Sequence, residues 1–198
     1  MQPKAPVLIN KRLAPDRKVK WLHSEIGRAF QMNVGASAAT KPYLWFLHAD
    51  SRFSRSTLSA LEHSLGSEPR ALHYFNLEFQ DDGPKVMPVN AFGVWWRSHF
   101  LGLPFGDQGF CLSKEDFLKL GGYSESAPYG EDHLLVWKAK QIGLPLRCTS
   151  STLSTSARKY QAKGWAKTTL RHGVLTWKQA LPEFMRWTKL RAQKKNRD

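Results

Sequence analysis

Cysteine is scarce: only Cys111 and Cys148 occur in 198 residues. That excludes a disulfide framework and a cysteine-rich zinc module, and both lie in apolar or strand-like sequence, where a cysteine reads as a small core residue. No apolar run reaches the roughly 18 residues of a spanning helix, which argues against an integral membrane protein. The leading stretch MQPKAPVLINKRLAPDRK is basic, without a continuous apolar segment or a small-residue cleavage site. A secretory signal is not indicated, and a cytoplasmic protein is expected. The seven histidines show no HExxH spacing, and GxGxxG, GxxxxGK[ST] and GxSxG are all missing. Catalytic zinc, a dinucleotide site, a P-loop and a serine-hydrolase elbow therefore have no motif behind them. No internal repeat occurs, and the one biased stretch is the Ser/Thr cluster at 149–156.

What is present supports a folded body. Hydrophobic residues make up 41% and aromatics 12%, enough for a real core, and the length suits one large domain. The formal net charge is +14, and its placement matters more than its size. Residues 1–28 carry 7 basic and 2 acidic side chains, residues 158–198 carry 12 and 2, and the middle carries 11 and 12. A neutral body with basic ends argues against a nucleic-acid-binding core. It leaves anionic lipid, a phosphorylated substrate or plain solubilising charge as readings of the ends.

Along the chain, short apolar stretches at Val7–Asn10 and Val19–Leu22 read as strands. Gly27–Ala39 has helical spacing, stopped by Lys41-Pro42. Tyr43–Leu47, apolar throughout, predicts a buried strand at the centre of a parallel sheet. Ser56–Leu65 predicts a helix with Ser54 or Ser56 as cap. A strand at Leu72–Phe79 precedes the turn Asp81-Asp82-Gly83-Pro84. Helices are expected over Asn90–Leu101, Lys114–Leu120 and Glu131–Ile142, and strands over Phe110–Ser113 and Leu146–Cys148. From about Lys163 to Lys195 the chain is helical and amphipathic, with Trp177, Leu181, Phe184, Met185 and Leu190 on one face. Alternating strand and helix signals place the chain in the α/β class.

Candidate chemistry sits at element boundaries. Asp50 follows the apolar strand, beyond whose carboxyl end ligands bind in open α/β sheets; a carboxylate there can hold a hard cation shared with phosphate, or serve as a turn residue. Glu131-Asp132 opens a helix, where acids suit the helix dipole or act as a general base. Gly106-Asp107-Gln108-Gly109 permits close backbone approach to a ligand or makes an ordinary loop. Arg158 and Lys159 can neutralise a departing diphosphate or remain a solvated pair. Trp95-Trp96 reads more readily as core than as a sugar platform.

Taken in order, GRAFQMNVGASAA, YLWFLHADS, GLPFGDQGFCLSKEDFLKLGGY, GEDHLLVWKAKQIGLPL and STSARKYQAKGWAKTTLRH resemble the family 2 glycosyltransferases. The likeness is greatest to the bacterial subgroup associated with radical-SAM and selenobiology genes, and it spans about Gly27 to His172. The resemblance implies a GT-A fold, a Rossmann-like α/β/α sandwich with a mixed, mostly parallel sheet. Residues 1–160 would form the transferase domain and 161–198 a basic amphipathic tail. It implies transfer of a sugar from a nucleotide-diphospho-sugar to an acceptor hydroxyl, with inversion and with Mn²⁺ or Mg²⁺ on the diphosphate. Asp50 of His48-Ala49-Asp50 would be the metal-side residue. Asp132 or its neighbour Glu131 would be the base. Gly106, Asp107, Gln108 and Gly109 would floor the acceptor and sugar site. Arg28, Gln31, Asn33 and His48 would lie beside the nucleotide, and Arg158 and Lys159 would meet phosphate. A lipid-linked acceptor, with peripheral contact to the inner membrane face through the tail, also fits it; the other expectation, given more weight, is that the apolar side of the tail packs on the domain as a final core helix.

The chain departs from the family in its first part. The 26 residues before Gly27 hold no Pro-x-x-Asn-Glu or Asp-Gly-Ser-x-Asp type motif, which in the family mark the strands holding base and ribose; Lys11 to Asp16 is at best a remnant. The expectation is an N-terminally shortened member, with a partner chain or second copy completing the site. The alternative is a non-catalytic descendant that binds a glycan, a membrane surface or a partner. Nucleic acid is the least favoured partner.

Overall fold

The computed structural model describes residues 19–195. The expected strand at Val7–Asn10 and the segment Lys11–Asp16 lie outside that range. Four strands, β1 (Tyr43–Trp45), β2 (Leu72–Phe79), β3 (Cys111–Ser113) and β4 (Leu146–Thr155), form one mixed sheet in the order β1-β3-β2-β4. Seven helices accompany them: α1 (Arg28–Ala38), α2 (Arg55–Ser67), α3 (Met87–Phe100), α4 (Lys114–Lys119), α5 (Glu131–Ile142), α6 (Arg158–Lys163) and α7 (Trp165–Lys195). The protein is thus α/β with a mixed sheet. Short β3 is antiparallel to both β1 and β2, whereas β2 and β4 run parallel. So β1, β2 and β4 share one direction, although two of the three pairings are antiparallel.

β1 is corrected from the centre of the sheet to its edge. The apolar run YLWFL reflects burial on both faces: Leu44 packs with one cluster and Trp45 and Leu47 with the other. A strand covered on two sides reads alike at the centre or at the edge. Val19–Leu22 is exposed and forms no strand. β4 reaches seven residues past the expected Cys148, to Thr155; the Ser/Thr cluster lacks apolar alternation, and its pairing with β2 supplies the order.

The two sheet faces carry separate cores. On one, Leu72, Tyr74 and Leu112 pack against Phe117 of α4 and Leu135, Val136 and Ala139 of α5, with Ala29 and Ala36 of α1 alongside. On the other, Phe75, Cys111 and Leu153 meet Leu61 of α2. Helix, sheet and helix thus form three layers. Cys111 is a core residue, as expected, and Cys148 is half-buried against the core; burial pushes the Cys111 thiol to about 12 and Cys148 to about 11, which disfavours the thiolate needed for nucleophilic work.

Local capping sets the α2 boundary. Ser54 accepts from the Thr57 amide while the Ser54 amide donates back to Thr57 Oγ1, at 3.2 Å each. Ser54→Ala should lower stability by about 1 kcal/mol, read as a fall in the urea midpoint with an unchanged slope.

The tail helix α7 packs against α5. His133 Nδ1 donates to Gln179 Oε1 at 2.9 Å, Gln141 Nε2 to Glu183 Oε2 at 2.8 Å, and Trp187 Nε1 to the Lys140 carbonyl at 3.2 Å. Ala180 is buried at this seam. The face predicted from Trp177, Leu181, Phe184, Met185 and Leu190 points outward instead, and all five are exposed.

Candidate functional site

The carboxyl ends of β1, β2 and β4 converge on one cleft of about 850 Å³. His48 and Asp50 reach it from the segment after β1, Phe79 from the end of β2, and Thr155, Ser156 and Lys159 from the end of β4 and the start of α6. This is where an open α/β sheet places its ligands. The first turn of α5 adds Gly130, Asp132 and His133, and the 3₁₀ turn Gly106–Gln108 adds Asp107. The α5 N-terminus brings its positive dipole end to the same place.

Asp132 is fixed by backbone. Its Oδ2 accepts from the Gly106 amide at 2.6 Å and its Oδ1 from the His133 amide at 2.9 Å. Gly106 is needed for this approach: a Cβ there would stand 2.9 Å from Asp132 Oδ2 and 3.0 Å from its Cβ. Glu131 turns away from the cleft lining, with Oε1 3.1 Å from Arg28 Nε. That contact is a charge pairing, because the geometry does not make it a hydrogen bond. Of the two acids that open α5, Asp132 faces the cleft.

Asp107 stands where this cleft meets a second, apolar groove. Its Oδ1 is buried without a hydrogen-bond partner among the described residues. Burial pushes its carboxyl up; Arg97 opposes the shift and Asp132 adds to it. Arg97, with its guanidinium 3.4 Å from the Phe105 ring centre, is itself held below the usual arginine value by burial, against the pull of Asp107 and Asp132. One cation is thus enclosed beside two carboxylates.

The opposite wall is basic. Arg28, Lys159, Lys163, Lys167 and Arg171 all line the cleft. Arg28 donates to His48 Nε2 at 2.8 Å, and Lys159 to His172 Nε2 at 3.0 Å. Burial lowers the Lys159 ammonium, helped by neighbouring Lys163. Clustered cations in a concave site focus potential on an anionic ligand.

Other expected residues have different work. Gln108 is buried: its Nε2 donates to the Phe75 carbonyl at 2.9 Å, and its Oε1 accepts from Ser98 Oγ at 2.9 Å and the Phe105 amide at 3.0 Å. It pins the loop from a position 1% exposed and outside the cleft lining, so its side chain does not face an acceptor. Gly109, at φ 66°, is closed in by Leu153, Leu47 and Trp45. The Asn33 carboxamide clamps the loop after α4, bonded to both the amide and the carbonyl of Tyr123 and to Glu125. Gln31 is exposed and outside the cleft lining. Arg158 also lies outside it, bonded to Ser156 Oγ at 2.9 Å and 3.5 Å from Asp82. Residues not anticipated from sequence are Arg97, His133, His172, Tyr160 and the basic row Lys163, Lys167 and Arg171. The four-residue spacing of that row was the available signal.

For a divalent cation, no group of three or more His, Cys, Asp or Glu gathers among the described residues. Asp50 is exposed and lines the cleft, with its backbone carbonyl taken by Gln80 Nε2 at 3.0 Å. One carboxylate suits Mg²⁺ or Mn²⁺ when a diphosphate and water supply the remaining oxygens.

The histidines give the fold a pH response. Trp137 Nε1 donates to His133 Nε2 at 3.0 Å, which leaves the His133 proton on Nδ1, toward Gln179. Burial holds His73, His133 and His172 below the free value of 6.5. The unfolded chain therefore takes up protons first as pH falls through 6.5, so stability is full above that value and declines beneath it. Asp107, raised in the fold by burial, acts in the opposite sense, so the imidazole response is read in an Asp107→Asn background. The urea midpoint should be lower at about pH 5.5 than at about pH 7.5, with a smaller drop in His133→Gln.

No protein-family profile matches the chain, and no curated protein matches it.

Proposed function

We propose that the chain is a GT-A-type glycosyltransferase of family 2 that moves a sugar from a nucleotide-diphospho-sugar to an acceptor hydroxyl with inversion. The observation that carries the reading is one cleft, at the carboxyl ends of three co-directional strands, holding Asp107 and Asp132 opposite five cations. A diphosphate matches the basic wall, and a hydroxyl nucleophile matches a carboxylate.

In the reaction Asp132 accepts the proton of the acceptor hydroxyl. The acceptor oxygen attacks the anomeric carbon, and the bond from that carbon to the diphosphate oxygen breaks, its electron pair staying on phosphate. Arg28 and Lys159, backed by Lys163 and Arg171, stabilise the charge that develops there. Asp107, whose carboxyl burial raises, hydrogen-bonds a sugar hydroxyl. A bound Mn²⁺ or Mg²⁺ would sit at Asp50 and supply Lewis-acid stabilisation of the leaving diphosphate.

Thermal unfolding of the purified chain against nucleoside diphosphates and nucleotide-sugars tests this. Binding to the folded state raises the midpoint once ligand exceeds its dissociation constant. A shift is expected for one nucleotide, larger with Mn²⁺, with the metal increment lost in Asp50→Ala. A cooperatively folding protein that none of these ligands stabilises at millimolar concentration would contradict the proposal.

A second reading has its own support. β1 ends the described sheet, with no described strand on its outer edge. A non-catalytic domain that binds a glycan or partner through the cleft is the alternative. Turnover of a donor by the chain alone would exclude it.

A further inference from the structure

The strongest unexplained feature is an outward-facing apolar surface on α3 and α7. On α3, Val89, Phe92, Trp96 and Phe100 recur at three- and four-residue intervals and so lie along one side of the helix. Phe92 and Phe100 are 65% and 67% exposed. Trp95, also exposed, joins them, its ring 5.9 Å from Phe92 and 5.7 Å from Phe100. The expectation of a buried tryptophan pair is corrected: Trp95 and Trp96 are 41% and 46% exposed. On α7, Leu170, Val174, Trp177, Leu181 and Met185 make a second stripe at the same intervals, with Leu170 71% exposed. Contiguous exposed apolar surface of this kind marks an interaction site.

The stripes flank one groove. Val89 and Trp96 of α3 and Gly173 and Trp177 of α7 line the same apolar channel of about 500 Å³. Asn90 ties the helices at its mouth, donating to Thr169 Oγ1 at 3.1 Å and accepting from Trp165. The inner end opens onto the cleft, because Phe105, Asp107, Tyr160 and His172 line both spaces.

Charge decides what covers this surface. α7 carries eight basic side chains and a single acid, Glu183, while α3 has no acidic residue. Glu183 is already engaged by Gln141 and Arg186. Lys167, Arg171, Lys178 and Lys189 fall, at about 100° per residue, in a row beside the α7 apolar stripe. A twofold pairing of two copies would set this basic row against itself. An anionic bilayer meets both features: its interface accepts tryptophan and phenylalanine, and its head groups attract the lysine and arginine row. No helix among the described residues is long and apolar enough to cross a membrane, so the contact would be parallel to the surface.

We propose that the α3–α7 face docks on an anionic lipid bilayer, with the groove open toward the lipid. The docking stands independently of the transfer chemistry. The test is co-sedimentation of the full chain with phosphatidylcholine vesicles and with vesicles that also contain phosphatidylglycerol, together with quenching of tryptophan emission by brominated lipid. The expected result is salt-sensitive binding to the anionic vesicles, with quenching. Binding should weaken at least about tenfold in the double variant Phe92→Ser/Phe100→Ser and in Lys178→Glu/Lys189→Glu. These four side chains are exposed and lie outside the cleft lining, so the unfolding midpoint should hold. Brominated-lipid quenching of the unmodified chain decides the matter if a variant fails to fold. No binding to anionic vesicles, or equal binding to neutral ones, would overturn the proposal. So would a dimer by light scattering that Phe92→Ser/Phe100→Ser dissociates, which would make the face a contact between copies.

Discussion

Asp132→Asn should lower kcat/KM for sugar transfer by about 10²- to 10⁴-fold, the range over which a positioned general base contributes. The donor should still bind, because the cations that meet the diphosphate lie elsewhere: Arg28 on α1, and Lys159, Lys163 and Arg171 on α6 and α7. A stability loss of about 1–3 kcal/mol should accompany the change. One carboxylate oxygen receives the Gly106 amide and the other the His133 amide, and an asparagine can replace only one of these acceptors. Glu131→Gln gives the contrast. Glu131 faces Arg28 rather than the cleft, so transfer should fall far less. Equal losses in the two variants would remove Asp132 from the role of base. Asp107→Asn should behave differently again. Asparagine keeps a donor for the sugar, so binding is retained. The decline in binding at high pH, caused by ionisation of a carboxyl that burial raises, should disappear.

The largest stability effect should come from Gln108. Gln108→Leu is close in size but leaves the Phe75 carbonyl and the Phe105 amide without their partners. Ser98 is less affected, since its hydroxyl also donates to the Val94 carbonyl at 2.8 Å. Two orphaned buried backbone groups, at about 1–3 kcal/mol each, give an expected loss of about 3–4 kcal/mol. For a chain of this length that corresponds to a fall of about 10 °C in the unfolding midpoint. The position matters because β2 and β3 pair at a single register, His73 opposite Cys111; Gln108 continues the junction where the backbone ladder stops. A loss under about 1 kcal/mol would mean that the loop is held by its glycines and Phe105, and that the side-chain bonds are incidental.

Elements defined by local chemistry were readable from the sequence, and those defined by distant partners were not. β2 and α5 have the expected bounds. β2 alternates between the two cores, and α5 begins after Gly130 and ends at Gly143, both left-handed. Ser54 as the α2 cap was legible for the same reason. The length of β4 was not, because polar Ser/Thr residues become a strand only through β2. The edge position of β1 also depends on pairing: Pro42 and Phe46 exchange backbone bonds with Lys114 and Phe110, about seventy residues away. In the site, Asp50, Asp107, Asp132, Arg28, His48 and Lys159 do share one cleft. Gln31 and Arg158 do not line it, and Asn33, Gln108 and Gly109 are used to hold loops. A glutamine between two glycines has the same spacing whether it faces a ligand or pins a turn, and only its partners separate the two. Of the predicted α7 face, Trp177, Leu181 and Met185 do share one stripe, but it points outward, and Phe184 turns toward Trp137 of α5. The helix packs inward through Ala180, Gln179 and Trp187, which leaves the more apolar side outward.

The most direct test of the central claim is amide hydrogen exchange of the chain with and without a nucleoside diphosphate and Mn²⁺. Ligand in the proposed cleft should slow exchange together in four separate segments: 48–51 after β1, 105–107 in the 3₁₀ turn, 130–133 at the start of α5, and 156–163 after β4. No other described surface brings these four stretches to one cavity. Protection confined to α7 alone, or no protection at saturating ligand, would contradict a diphosphate site at the carboxyl ends of the strands.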